Sequence, residues 1–114
     1  MADLETTMNE IMDLFEAKDL DAFAQHVHPS FSWSDKEGKL VIGDKDTFIA
    51  EVKKYWVANP NLSSKIDGTL VAGNFVTQHE TVTGLASGVT EEYLWVYEFS
   101  GNKIIKQWGF IPAN

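Results

Sequence analysis

At 114 residues the chain fits one domain, 1–114, with a single core, and 44% hydrophobic with 23% charged residues is an ordinary balance for a globular protein. A net charge of −8 argues against nucleic acid and anionic membrane as partners, because both are held by basic patches. The absence of cysteine excludes disulfides, thiolate metal sites and a cysteine nucleophile. Met1-Ala2-Asp3 leads into no basic stretch and apolar run, and nothing approaches the ~18 apolar residues of a membrane span, so a cytoplasmic protein is expected.

Leu4, Met8, Ile11, Met12 and Phe15 recur at i, i+4, i+7, i+8 and i+11, one stripe of an amphipathic helix that Asp3 caps. Asp19 caps a shorter second helix that buries Leu20, Phe23, Ala24 and Val27 and carries His26 and His28 at its end. Pro29 stops it. Phe31, Trp33 and Asp35 alternate with Ser32 and Ser34 as a short strand running into the turn Lys36-Glu37-Gly38. Leu40 to Ile42 is too short to assign, and Gly43 breaks it. Asp44 caps a third helix with Phe48, Ile49, Val52, Tyr55 and Trp56 on its apolar stripe, ended by Asn59-Pro60-Asn61.

Leu62 to Ala72 reads as a strand with a defect at Asp67-Gly68, followed by a tight hairpin at Gly73-Asn74. Three more strands fill Phe75 to Ile111, separated by turns at Gly84–Gly88 and Ser100–Asn102. On the first, Phe75, Thr77, His79, Thr81 and Thr83 share the face taken as inward, which leaves Val76, Glu80 and Val82 outside. On the second, Tyr93, Trp95, Tyr97 and Phe99 face inward and Glu98 outward. On the third, Ile105, Gln107, Gly109 and Ile111 alternate with Ile104, Lys106, Trp108 and Phe110. A block of helices followed by hairpins indicates an α+β fold, helices on one face of a mainly antiparallel sheet. Outward Val76, Val82, Trp108 and Phe110 then suit a homodimer interface, since an apolar sheet face of that size needs cover.

This order, with the Lys18-Asp19-Leu20-Asp21 junction, the Phe31–Asp35 strand, Gly43 before helix three, and Gly101-Asn102-Lys103-Ile104 before Trp108, resembles the nuclear transport factor two-like superfamily. Ketosteroid isomerases, SnoaL-like polyketide cyclases, limonene epoxide hydrolases and scytalone dehydratases belong to that group. The resemblance covers nearly the whole chain. It implies a cone of three N-terminal helices on a strongly curved sheet, in cystatin-like topology, around a pocket for a small apolar or aromatic ligand. It also implies a dimer through the outer sheet face, and no cofactor. Asp35 matches the proton-shuttling carboxylate of ketosteroid isomerases, but Ile11 and Trp95 stand where those enzymes keep their oxyanion donors. Gly109 stands where cyclases and epoxide hydrolases carry an acid, and His79 where they commonly place an arginine.

Two residues are the catalytic candidates. Asp35, walled by Trp33, Tyr55, Trp56 and Trp95, would be a desolvated general base; the plainer alternative is a strand-end aspartate facing water. His79 would donate to a substrate carbonyl, or else be a rim histidine bonded to Thr81. Glu80 and Glu98 are expected at the rim or the interface. Ligand contacts are expected from Phe15, Phe31, Trp33, Val52, Tyr55 and Trp56, and from Thr77, Tyr93, Trp95, Tyr97 and Gln107 on the sheet. His26 and His28 lie two apart without a third ligand, so no metal site is expected. The expected function is proton-transfer chemistry on a small apolar carbonyl compound, by an isomerase, cyclase or lyase. The alternative is a binding or dimerisation module that keeps the scaffold without the catalytic set.

Overall fold

Three aspartate side chains start the three helices, each accepting a backbone N–H left free in a first turn. Asp3 accepts from Thr6 at 2.8 Å, Asp19 from Ala22 at 3.3 Å and Asp44 from Thr47 at 2.7 Å. A computed structural model describes residues 3–110. Its elements run α1 (Leu4–Ala17), α2 (Leu20–Ala24), β1 (Val27–Ser34), β2 (Leu40–Ile42) and α3 (Lys45–Ala58), followed by four long strands. These are β3 (Ser63–Ala72), β4 (Phe75–Thr83), β5 (Glu91–Ser100) and β6 (Lys103–Phe110). Ile111, assigned to the last strand by its alternation, lies outside the described residues.

All six strands form one sheet in the order β2-β1-β6-β5-β4-β3, parallel only between β1 and β6. The sheet is curved and does not close. Two bulges contribute to its bend, because an extra residue on one strand tightens the local twist. Asp67 is skipped between Ile66 and Gly68, at the defect expected from the sequence, and Ile105 is skipped opposite the Glu98–Phe99 step. Gly73, at φ +61°, turns β3 into β4 in two residues. The helices lie across one face, α1 against β3 and β4, α3 against β1, and α2 against both helices. Met8, Ile11, Phe23, Val27, Phe31, Phe48, Val76 and Ile104 are buried between the layers.

Two expectations about local structure are corrected. The second helix ends at Ala24, so His26 lies in a turn while Val27, His28 and Pro29 belong to β1. Pairing with β6 overrides the helical pattern: Ile104 donates its N–H to the His26 carbonyl at 2.7 Å, and Val27 sits beside Ile104. Pro29 falls where the β1–β6 ladder is interrupted between Val27 and Ser32, a place that needs no N–H from it.

The second correction concerns β4, whose faces are the reverse of those expected. Val76, Gln78, Glu80 and Val82 are buried under the helices, whereas Phe75 and Thr83 are exposed and Thr77, His79 and Thr81 half-buried on the outer face. Register explains it. Directly opposed residues on neighbouring strands share a face, and Glu80 opposes Tyr93 while Gln78 opposes Trp95. Val76 and Val82 are therefore core residues and cannot serve an outer interface. The bulge at Ile105 likewise turns Ile104 inward, while Gln107 and Gly109 keep the inward face expected of them.

Candidate functional site

Between the helices and the concave sheet face lies a hollow of about 290 Å³. That is near the lower end for a small-molecule site, room for a ligand of modest size. Met8, Ile11, Met12 and Phe15 of α1 form one side, with Phe23 of α2 and Phe48, Glu51, Val52 and Tyr55 of α3 beside them. The sheet supplies Trp33, Glu80, Val82 and Ile104, the β5 row Tyr93, Trp95 and Tyr97, and Gln107. Alternation on β5 stacks that row into a ladder, with ring centroids 5.3 Å apart for Tyr93–Trp95 and 6.3 Å for Trp95–Tyr97. Trp33 meets Trp95 edge-on at 5.6 Å, so two indoles make a corner in the wall.

Glu80 is the buried carboxylate of this hollow, 6% exposed. Trp95 Nε1–H donates to its Oε1 at 2.8 Å, and the Ser64 hydroxyl donates to its Oε2. A carboxylate accepts at both oxygens with lone pairs to spare, so two fixed donors orient it and leave acceptor capacity for a ligand. Burial pushes the Tyr55 phenol up to about 12, helped by the negative charges of Glu91 and Glu80. Burial also raises Tyr93, with the adjacent Glu91 carboxylate second, and Tyr97, with Glu80 second. All three tyrosines therefore stay protonated at neutral pH and remain hydrogen-bond donors.

A family model for the SnoaL-like domain matches residues 8–107. The chain belongs to the SnoaL-like family. A cystatin-fold protein of Novosphingobium aromaticivorans has the same fold at TM-score 0.83 and 20% identity, over 96% of this chain and 98% of its own. A SnoaL-like protein of Burkholderia thailandensis superposes at TM-score 0.78 and 21% identity, over 96% and 95%. IdmH of Streptomyces antibioticus, described as a candidate polyketide cyclase, does so at TM-score 0.78 and 12% identity, over 96% and 91%. At these identities the likeness extends to the fold alone. No curated protein matches the chain by sequence.

Within this SnoaL-like scaffold the expected site residues separate. Phe15, Val52 and Tyr55 from the helices line the hollow, as do Trp33, Tyr93, Trp95, Tyr97 and Gln107 from the sheet. Phe31 is instead fully buried and stacked on Phe48 at 4.3 Å, a core contact. Trp56 is also core, packed edge-on against Phe15 and Phe23, and its Nε1 has no hydrogen-bond partner among the described residues. Thr77 lies on the outer face with the rest of its row.

Neither catalytic candidate reaches the hollow. Asp35 follows the last residue of β1, and its Oδ1 accepts from the N–H groups of Glu37 at 2.9 Å and Lys39 at 3.0 Å. It holds the β1–β2 turn, since a short acidic side chain bonds most readily to backbone just ahead of it. His79 is on the outer face, its Nε2 3.0 Å from Glu92 and its Nδ1 3.9 Å from Asp67. His26 Nδ1 contacts the Asn102 carbonyl far along the chain, His28 Nδ1 accepts locally from the Ser30 N–H, and no cluster of three metal-ligating side chains occurs among the described residues. Likewise, no helix described is long and apolar enough to cross a membrane.

Glu80, expected at the rim or the interface, stands inside the hollow instead. The available signal was Val76 and Val82, two β-branched apolar residues in its own alternating row. Gly109 also acquires a reason. It opposes Trp95, and a Cβ there would stand 2.5 Å from the indole Cζ3, so the indole can lie over β6 only because that residue lacks a side chain. Gly109 and Trp95 are one packing arrangement.

Proposed function

We propose that this SnoaL-like chain binds one small, mainly apolar molecule in the hollow and moves a proton on it without a cofactor, as an isomerase, cyclase or lyase does. The observation that carries this reading is one buried carboxylate, Glu80, fixed by two donors inside an aromatic wall. Glu80 takes a proton from the carbon beside a carbonyl; the C–H electron pair becomes the C=C bond of an enolate as the carbonyl π pair moves onto oxygen. The hydroxyl of Tyr55 or Tyr93 donates to that oxygen as its charge grows. Glu80 thus replaces Asp35 as the base, and a tyrosine replaces His79 as the donor. The description of IdmH as a candidate polyketide cyclase supports the same class of chemistry.

A second reading, binding without turnover, is favoured by one observation: both Glu80 oxygens already accept from the protein's own Trp95 and Ser64. β-Tetralone in deuterated water separates the two, with α-hydrogen exchange followed by NMR. Catalysed exchange that falls about 10²–10⁴-fold in Glu80→Gln, with ligand binding retained, supports the base role. Exchange undiminished in Glu80→Gln sinks it, and binding without catalysed exchange in the native chain selects the second reading.

The outer sheet face completes the proposal as a homodimer interface. Leu70 is 75% exposed there and Phe75 and Leu94 40% each, beside half-buried Val96, Trp108 and Phe110. Sedimentation should give a dimer that Leu94→Lys converts to monomer. A native chain that stays monomeric at high concentration contradicts it.

A further inference from the structure

The charges lining the hollow are negative. Glu80 projects into it from the sheet, and Glu51 stands in its wall on α3. Glu91 lies close enough to Tyr55 and Tyr93 to raise both phenols. The chain contains no arginine, and none of its 9 lysines lines the hollow. Lys54 reaches Glu51 at 3.4 Å, but Glu80 has no cationic partner among the described residues. Its donors, Ser64 and Trp95, are neutral. A buried carboxylate without a counter-charge is unfavourable, and a ligand that brings positive charge relieves this while an anionic one aggravates it.

The aromatic wall acts in the same direction. The π-faces of tryptophan and tyrosine attract cations, by ~0.5–2 kcal/mol according to how dry the site is. Here the Trp33–Trp95 corner adjoins Glu80, because Trp95 is the indole that donates to it. Without an arginine fork or any lining lysine, no cationic side chain in the hollow balances a carboxylate or phosphate on the ligand.

We infer that the ligand is an organic cation: an apolar body bearing a protonated or quaternary amine, with the nitrogen between Glu80 and the Trp33–Trp95 corner. This rests on the reading that the hollow binds a small molecule, and it is independent of whether Glu80 moves a proton.

Phenethylammonium, phenethyl alcohol and phenylacetate share one skeleton and differ in charge, and titrating each into the full chain by tryptophan fluorescence tests the inference. The ammonium should bind about tenfold or more tightly than the alcohol, about 1.4 kcal/mol, with phenylacetate weakest. Added salt should weaken the ammonium and leave the alcohol unaffected. Glu80→Gln should remove most of the ammonium preference; should that variant not fold, Glu51→Gln combined with Glu91→Gln should reduce it. Alcohol binding as tightly as ammonium overturns the cation inference while the pocket reading stands. So does a preference unchanged in the folded Glu80→Gln variant, or phenylacetate binding tightest. Binding of none of the three overturns both.

Discussion

Gly109→Ala adds one methyl group, and the structure fixes what it meets. The new Cβ would lie 2.5 Å from Cζ3 of Trp95, 3.0 Å from Cη2 and 3.1 Å from Cε3, all on the benzo ring of the indole. The indole is flanked by Tyr93 and Tyr97 and abutted by Trp33, so it can retreat only into the hollow, away from its place over β6. Overpacking of this kind costs about 1–3 kcal/mol. The displaced indole also loses its 2.8 Å bond to Glu80, a hydrogen bond to a carboxylate being worth about 1.5–3 kcal/mol. A total destabilisation of about 3 kcal/mol is expected, a fall of about 10 °C in Tm for a domain of this size. Thermal unfolding by circular dichroism reads the stability, and the near-ultraviolet spectrum reads the aromatic ladder. Trp95→Phe in the Gly109→Ala background should recover part of the loss, because phenylalanine lacks the ring that the methyl strikes. The cycle should then be non-additive by about 1 kcal/mol. A variant melting within about 1 °C of the native chain with an unchanged near-ultraviolet spectrum would refute the reasoning.

Two further perturbations concern titration. The chain has 3 tyrosines, and burial raises all of them. Folded protein should therefore show no tyrosinate absorbance near the ordinary phenol value of about 10, and one tyrosine titrating there contradicts the site geometry. A raised folded pKa means that the stability these phenols contribute is complete below their unfolded value and lost as pH rises toward and through about 12 for Tyr55. Alkaline unfolding should begin in that window, and it should shift in Tyr55→Phe. At the acid end, hydrogen bonds from the Thr47 N–H and hydroxyl hold the Asp44 carboxyl below the ordinary aspartate value of 3.8. Its contribution is present above that value and lost as pH falls through the folded pKa, so Asp44→Ala should lose stability at neutral pH and flatten the acid limb of denaturant midpoints against pH. An unchanged limb contradicts the cap.

What could be read from the sequence was what short-range chemistry decides. Asp3, Asp19 and Asp44 each precede an apolar stripe, and a capping carboxylate needs only the next turn to act. Asp67-Gly68 interrupts a strand pattern, and the bulge is there. Gly73-Asn74 allows only a two-residue hairpin, which fixes the β3–β4 register. Between β4 and β5 the connection spans 84–90, and a loop of that length leaves register open. The two rows of β4 also differ little in hydropathy, one with Phe75 and three threonines, the other with Val76, Val82, Gln78 and Glu80. Only the β5 pairing decides between them, and reversing it exchanged His79 for Glu80 at the site. The start of β1 departs from its helical pattern for a related reason, since its first residues form a strand only through contact with β6 at the far end of the chain. Asp35 does stand at a strand end, yet parity along a strand says nothing once the chain has turned.

The central claim is that the working acid of this SnoaL-like chain is Glu80, inside the hollow, and neither Asp35 nor His79. The most direct measurement compares α-hydrogen exchange of bound β-tetralone in Glu80→Gln, Asp35→Asn and His79→Gln under identical conditions. The account predicts exchange lost in Glu80→Gln by about 10²-fold or more and kept within about twofold in the other two. Loss in Asp35→Asn with Glu80→Gln fully active would contradict it.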